Sequence, residues 1–239
     1  DLNAQFQMCQ FRPNSSLNEA TKEKYEAVRL RVMRQVHYSA QKPGDSIDLV
    51  FFVNGIPVAT AELKTDFTQN ITDAVMQYKN DRHPKGEPLL QFGSRALVHF
   101  AVSNYEIEMT TKLDGKDTYV LPFNRGNNHH AGNPANPGGS PTAYLWESIL
   151  ARDTWLDILG RFMHLHVEDK IDPDTGKKTR KQTMLFPRYH QWEAVTKLVE
   201  AARTQGPGHR YLIQHSAGSG KTNSISWLTH RLSVLHDED

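Results

Sequence analysis

The stretch "IDLVFFVNGIPVATAELK", residues 47–64, decides the fold. An apolar run, an Asn-Gly pair and a second apolar run predict a β-hairpin. Three residues do not suit a hairpin built only for packing: Asp48, Glu62 and Lys64. Glu62 and Lys64 are two apart on one strand, so they share a face. Two carboxylates and an ammonium gathered there form a hard-oxygen set of the kind that holds Mg²⁺ while several waters stay on the ion. Such an ion acidifies water for attack on phosphorus, and a lysine can hold that water or stabilise the transition state. The plain alternative is a solvated hairpin with a Glu62–Lys64 salt bridge. The small and apolar neighbours in "SIDLVFFV" and "ATAELK" are poor company for idle charges.

Strand parity makes the idea exacting. With a two-residue Asn54-Gly55 loop and regular pairing, Asp48 would oppose Ala61 and Glu62 would lie on the other face. A three-residue loop with Gly55 left-handed pairs Phe52 with Ile56, puts Asp48 opposite Thr60, and gathers Asp48, Glu62 and Lys64 on one face. The site therefore demands a bulge, expected at the turn.

The chain has 239 residues, 38% of them hydrophobic, which suits one large or two small domains with a real core. Its 28 basic and 27 acidic residues nearly cancel, so net charge does not announce a nucleic-acid partner. A single cysteine, Cys9, excludes an intrachain disulfide framework and suits a reducing, cytoplasmic setting. No apolar run reaches the roughly 18 residues of a membrane helix, and the opening "DLNAQFQMCQFRPNSS" does not read as a signal peptide.

Periodicity and breakers order the rest. Residues 18–30 predict a helix capped by Asn18, and "RVMRQVHYS" a strand. Residues 70–82 predict a helix ending before Pro84. "ALVHFAVS", 96–103, predicts a buried strand, with "YEIEMTT" beside it. Residues 124–142 predict a long loop, and "AYLWESILARDTWLDILGRFMHL" a continuous helix. In that helix Trp146, Trp155, Leu159 and Phe162 form a core stripe. Residues 168–182 predict a charged connector or hairpin whose "KKTRK" reads as a solvated turn, with a DNA-phosphate patch as the alternative. A helix over 189–203, a strand "RYLIQHS" and a helix over 220–235 follow. His129, His130, His164 and His166 lack ligand spacing, and no cysteine cluster supports zinc.

"QHSAGSGKTNS", 214–224, is a second constellation. Gly218, Ser219, Gly220, Lys221 and Thr222 stand between an apolar strand and a helix. Backbone N–H groups there cradle phosphates, Lys221 reaches the β- and γ-phosphates, and Thr222 ligates Mg²⁺. His215 stands where such loops usually begin with glycine.

The D…(13)…E-L-K pattern resembles the PD-(D/E)xK nuclease signature. "GDSIDLVFFVNGIPVATAELK", "DAVMQYKNDRHP", "RALVHFAVSNYEIEMTTKL", "LPFNRG" and "YLWESIL", in this order, resemble the N-terminus of the R (motor) subunit of type I restriction endonucleases. The resemblance implies an α/β fold: a PD-(D/E)xK domain, with a mixed sheet flanked by helices, over 1–165. A connector over 166–185 and the start of a RecA-like superfamily 2 ATPase domain over 186–239 would follow. It implies Mg²⁺-dependent cleavage of double-stranded DNA, coupled in the full enzyme to ATP-driven translocation, with methyltransferase and specificity subunits as partners. Asp48, Glu62 and Lys64 match the catalytic acids and lysine, and the two acids the metal ligands. Relatives often carry a QxxxY motif on the next helix. Here "AVMQY" has Ala74 in the glutamine's place, leaving Gln77, Tyr78 and Arg82 as auxiliary candidates, Arg82 for a DNA phosphate. "FPRYHQWEA" resembles the Q-motif that reads adenine, with Gln191 as the reading residue and Phe186 or Tyr189 as a stacking ring. No Walker B acid follows an apolar strand by Asp239, so residues 1–239 alone are expected to lack ATPase activity. Two other readings stand beside this one: a superfamily 2 helicase whose degenerate nuclease-like module only binds DNA, and a scaffold docking onto a methyltransferase complex.

Overall fold

Asn18 opens the first helix, accepting the Thr21 N–H on its side chain at 3.1 Å and capping α1 (Glu19–Glu26). The computed structural model describes residues 7–13, 18–65, 69–128, 130–171, 176 and 178–235. After α1 comes β1 (Leu30–His37), then the hairpin β2 (Ser46–Val53) and β3 (Ile56–Leu63). α2 (Ile71–Asn80) starts at a reciprocal capping box between Asn70 and Asp73. It carries the chain across to β4 (Val98–Val102), which pairs parallel with β3. β5 (Ile107–Thr110) and β6 (Leu121–Pro122) complete a six-stranded mixed sheet in sequence order, β1 to β6.

The hairpin turn is not the three-residue loop expected. Val53 pairs with Ile56 across a two-residue turn, with Asn54 at φ 49° and Gly55 at φ 85°. The bulge exists, but it lies two residues further on. Phe52 faces Pro57 while Phe51 faces Ala59, so Val58 is the extra residue. Pro57 has no N–H to donate to a ladder, which makes its neighbourhood the natural place for the interruption. Val58 and Ala59 consequently both enter the same core.

The middle of the sheet is buried on both faces, while the edge strand β1 is largely exposed. α2 covers one, where Ala74, Val75 and Tyr78 pack with Ile47, Val50 and Leu90. The other face, including Ala59, Ala61, Val98 and Phe100, packs on Leu145, Ile149, Trp155, Leu156 and Phe162. Residues 143–165 are not one helix. A wide π-turn (Leu145–Ile149) ends at Leu150, and Ala151, at ψ 141°, breaks the chain before α3 (Arg152–Asp157). A second wide turn (Ile158–Phe162) follows, and His164 already begins a strand. The break lets Leu145 and Ile149, as well as Trp155 and Phe162, reach a core that one straight 3.6-residue stripe would not serve. Trp146 is outside the core, 37% exposed and stacked on Phe51.

The loop 124–142 is tied down by Asn133. Its side chain donates to the Tyr105 carbonyl and to Asn124 Oδ1, and accepts the Arg125 N–H. The charged segment is a hairpin of β7 (His164–Ile171) and β8 (Lys178–Leu185). α4 (Tyr189–Gln205) and α5 (Lys221–Ser233) follow. Phe186 and Tyr189 sit among Phe100, Phe123 and Tyr144 in the same core, so neither ring is free to stack on a base.

The strand expected over 210–216 does not form. No described strand lies beside it, and Leu212 is 91% exposed. An apolar segment forms a strand only against a ladder partner, and a phosphate-loop strand is normally central in a parallel sheet. His129 and residues 236–239 lie outside the described residues, as does Lys177 of "KKTRK".

Candidate functional site

The β2–β3 ladder is paired as far as Leu49 and Ala61. Continuing that register sets Asp48 opposite Glu62, which places them on one face as the chemistry requires. The bulge at Val58 does this, because an unbroken ladder from the same turn would have set Asp48 opposite Ala61. Beyond Ala61 the chain follows β4, where Leu63 pairs with Val102 and the Lys64 N–H reaches the Val102 carbonyl at 2.9 Å. Asp48 takes up the N–H that β2 leaves: its Oδ2 accepts from the Leu63 amide at 2.8 Å. Its Oδ1 accepts from Gln35 Nε2 at 2.8 Å.

Glu62 is fully buried. Its Oε1 accepts from Arg82 Nε at 2.7 Å, and its Oε2 is buried with no partner. Burial pushes this carboxyl up to about 7, Arg82 pulls it back, and the neighbouring Asp48 carboxyl adds to the rise. An orphaned carboxylate oxygen beside a second carboxylate is a donor set that a divalent cation satisfies. Among the described residues no group of three or more His, Cys, Asp or Glu is placed to hold a metal ion. Asp48 and Glu62 are the acidic side chains brought together here, and further oxygens would complete any shell. Lys64 is half-buried just past the end of β3, and no ion pair joins it to either acid among the described residues. The Glu62–Lys64 salt bridge of the plain reading is therefore not formed.

The auxiliary candidates face inward. Arg82 is 6% exposed; besides Glu62, its Nη2 donates to the Ser46 carbonyl at 2.8 Å. It is a counter-charge to Glu62 and not the exposed phosphate contact expected of it. Tyr78 is 2% exposed, and its hydroxyl meets Thr60 Oγ1 at 2.8 Å. Thr60 Oγ1 in turn lies 2.7 Å from His99 Nδ1, and burial holds that imidazole neutral with its pKa lowered to about 3. Ala74 is fully buried on the inner face of α2, and Gln77 Oε1 is buried without a partner. Gln35, Thr60 and His99 carry no motif and were not legible as site residues. The one available hint is that a polar residue inside each of two apolar strands, Thr60 in β3 and His99 in β4, needs a partner.

At the second constellation, Gly218 and Gly220 take φ 72° and 78°, and Gly220 precedes α5. Gln191 is 3% exposed and grips this loop: Nε2 donates to the carbonyls of Ser219 at 3.1 Å and Gly220 at 3.0 Å, while Oε1 accepts the Arg188 N–H. A Cβ at Gly220 would run into Gln191 Nε2. Lys221 folds back over the loop, donating to the His215 and Ser216 carbonyls at 3.2 and 2.8 Å. Thr222 is exposed on the first turn of α5. An open cavity of about 760 Å³ adjoins Gly218, Ser219 and Gly220, with Arg188 and Tyr119 on its wall.

Two comparisons bear on the site. Residues 13–118 match the family described as "Type I restriction enzyme R protein N terminus", a span that includes Asp48, Glu62 and Lys64. Over 211 residues, 85% of this chain, the sequence is 25% identical to a curated protein of Methanocaldococcus jannaschii named as the endonuclease subunit of the type I restriction enzyme MjaVIIIP. The chain spans 19% of that relative's length. Both findings bear out the resemblance to the N-terminus of the R subunit of type I restriction endonucleases. No helix among the described residues is long and apolar enough to cross a membrane.

Proposed function

Taking residues 13–118 as the N-terminal region of a type I restriction enzyme R protein, the family to which both comparisons point, we propose that this chain carries the nuclease centre of such an enzyme. The substrate is double-stranded DNA and the reaction is phosphodiester hydrolysis. One observation carries the reading: Asp48 and Glu62 share a face at the end of a ladder that a single bulge has brought into phase, and Glu62 offers a buried oxygen with no partner.

Asp48 and Glu62 would hold Mg²⁺, which, when bound, supplies Lewis acidity to the phosphate and a more acidic water. Arg82 fixes the Glu62 rotamer through Oε1 and leaves Oε2 outward from that bond. The Leu63 amide and Gln35 fix the Asp48 carboxylate. Lys64, paired with neither acid, is the group available to hold the attacking water or the phosphate oxygens. The phosphate loop 215–222 would bind ATP, with Lys221 exchanging its two backbone carbonyls for the β- and γ-phosphates. In the complete protein ATP hydrolysis would drive translocation, with methyltransferase and specificity subunits supplying DNA recognition, in the cytoplasm.

The test is cleavage by the complete enzyme with its partner subunits. Asp48→Ala, Glu62→Ala and Lys64→Ala should each abolish DNA cleavage and leave DNA-stimulated ATP hydrolysis in place. Any of the three cutting at the wild-type rate removes that residue from the centre. Intact cleavage in all three would favour the other reading, a helicase whose nuclease-like module only binds DNA.

A further inference from the structure

Gln35 lies inside β1, at the position opposite Asp48: Arg34 pairs with Leu49 and Val36 with Ile47 on either side of it. Its φ is 49°, a left-handed conformation that a glutamine in a strand adopts only under compulsion. It is the one non-glycine residue within a described strand to do so; Asn54 and Asn128, the other two with positive φ, lie in turns. No turn needs it, since the β1–β2 register runs unshifted through this point. Such strain persists where surrounding contacts over-determine it, and here those contacts can be named.

The side chain makes two hydrogen bonds. Nε2 donates to Asp48 Oδ1 at 2.8 Å, and Oε1 accepts from Ser46 Oγ at 3.1 Å. Asp48 accepts only, so the amide nitrogen must be the atom facing it, and the amide orientation follows. The Leu63 N–H holds the other Asp48 oxygen. Both oxygens are therefore fixed from opposite sides, by β1 and by β3, while each keeps a lone pair for a cation. An open recess lined by Met33, Arg34, Gln35, Asp48 and Leu63 leaves this side accessible.

We propose that Gln35 is a positioning residue of the nuclease centre: it locks the Asp48 carboxylate in the orientation that receives a divalent cation, and its left-handed backbone is maintained by that contact. The inference rests on the nuclease reading above and goes beyond it. It predicts that relaxing the strain and losing the metal go together, whereas an ordinary structural hydrogen bond would show only loss of stability.

Two variants separate these. Gln35→Gly removes the side chain and suits positive φ; Gln35→Asn also tolerates that conformation, but its amide is a methylene too short for Asp48. Mn²⁺ binding to the nucleotide-free complete protein is measured by calorimetry, thermal stability alongside, and DNA cleavage is followed against Mg²⁺ concentration. The expected result is a melting temperature no lower than wild type, Mn²⁺ affinity weaker by about tenfold, and cleavage restored by excess Mg²⁺. Wild-type Mn²⁺ affinity in both variants overturns the role of Gln35. Asp48→Asn is the control: if it loses Mn²⁺ while the Gln35 variants do not, the positioning claim alone fails. If Asp48→Asn binds Mn²⁺ as the wild type does, the metal centre is misplaced and the claim falls with it.

Discussion

Arg82 holds one oxygen of Glu62 at 2.7 Å and leaves the other buried and bare. The pair is nearly free of solvent, with side chains 8% and 0% exposed. Removing one member of such a pair strands the other charge, at roughly 3–5 kcal/mol. Arg82→Ala is therefore expected to lower stability on that scale, with Glu62 taking up a proton as its relief. Chemical denaturation at pH 7 measures the loss. An exposed phosphate-binding arginine would instead cost almost nothing when truncated, and a loss below about 0.5 kcal/mol would return Arg82 to that role.

The raised Glu62 carboxyl sets a pH dependence. Its ordinary value is 4.5 and its folded value about 7. The folded chain thus holds this proton more tightly than the unfolded chain. The stability it contributes is complete below about pH 4.5 and is lost as pH rises through 7. A divalent cation binds the ionised form, so it restores most where the apo-protein has lost most. The Mg²⁺-induced rise in melting temperature, in the absence of nucleotide, should be small at pH 5.5 and grow through pH 8. An equal rise at both ends would place Glu62 outside the metal site.

The bulge yields a counter-intuitive deletion. Phe52–Pro57 and Phe51–Ala59 flank Val58, so excising Val58 leaves every cross-strand pair where it was. Asp48 would still oppose Glu62. The deletion removes a side chain only 8% exposed, which costs about 2 kcal/mol. Mn²⁺ binding should survive in the deleted protein. Inserting an alanine after Val58 instead demands a second bulge or puts Glu62 on the wrong face, and Mn²⁺ binding should vanish. Equal binding by both would show that strand parity does not govern the centre.

The sequence shows the site where local chemistry is complete within it, and hides it where a distant partner decides. The two hairpin strands, the Asn18 cap of α1 and the helix after Gly220 are set by residues close in sequence, and each forms where it was expected. The need for a bulge followed from face parity alone, yet its position did not, because Asn-Gly can turn in two residues or three and Pro57 breaks the tie further on. Residues 210–216 carry a strand's composition, but a strand requires a neighbour, and none is described there. Residues 143–165 have helical periodicity, but the break at Ala151 answers to a core shared with β4 and α4. Gln35 and Arg82 were opaque because their roles depend on Asp48 and Glu62, which lie far from them in sequence and beside them in space.

In the loop before α5, Gln191 holds the carbonyls of Ser219 and Gly220 with one amide nitrogen, and its own oxygen is taken by the Arg188 N–H. Its first duty in this structure is thus to the loop and not to a base. Gln191→Ala would leave two loop carbonyls without that donor and open space at Gly220. Gly220→Ala attacks the same contact from the other side, since its φ of 78° disfavours a Cβ and the Cβ would strike Gln191 Nε2. If the grip shapes the loop for phosphate, both variants weaken binding of ATP and of inorganic pyrophosphate in the complete protein by similar factors, on the order of tenfold, about 1.4 kcal/mol. If Gln191 acts on adenine alone, Gln191→Ala weakens ATP and leaves pyrophosphate unchanged. Competition binding with the two ligands, on protein shown by circular dichroism to be folded, decides between the loop and the base.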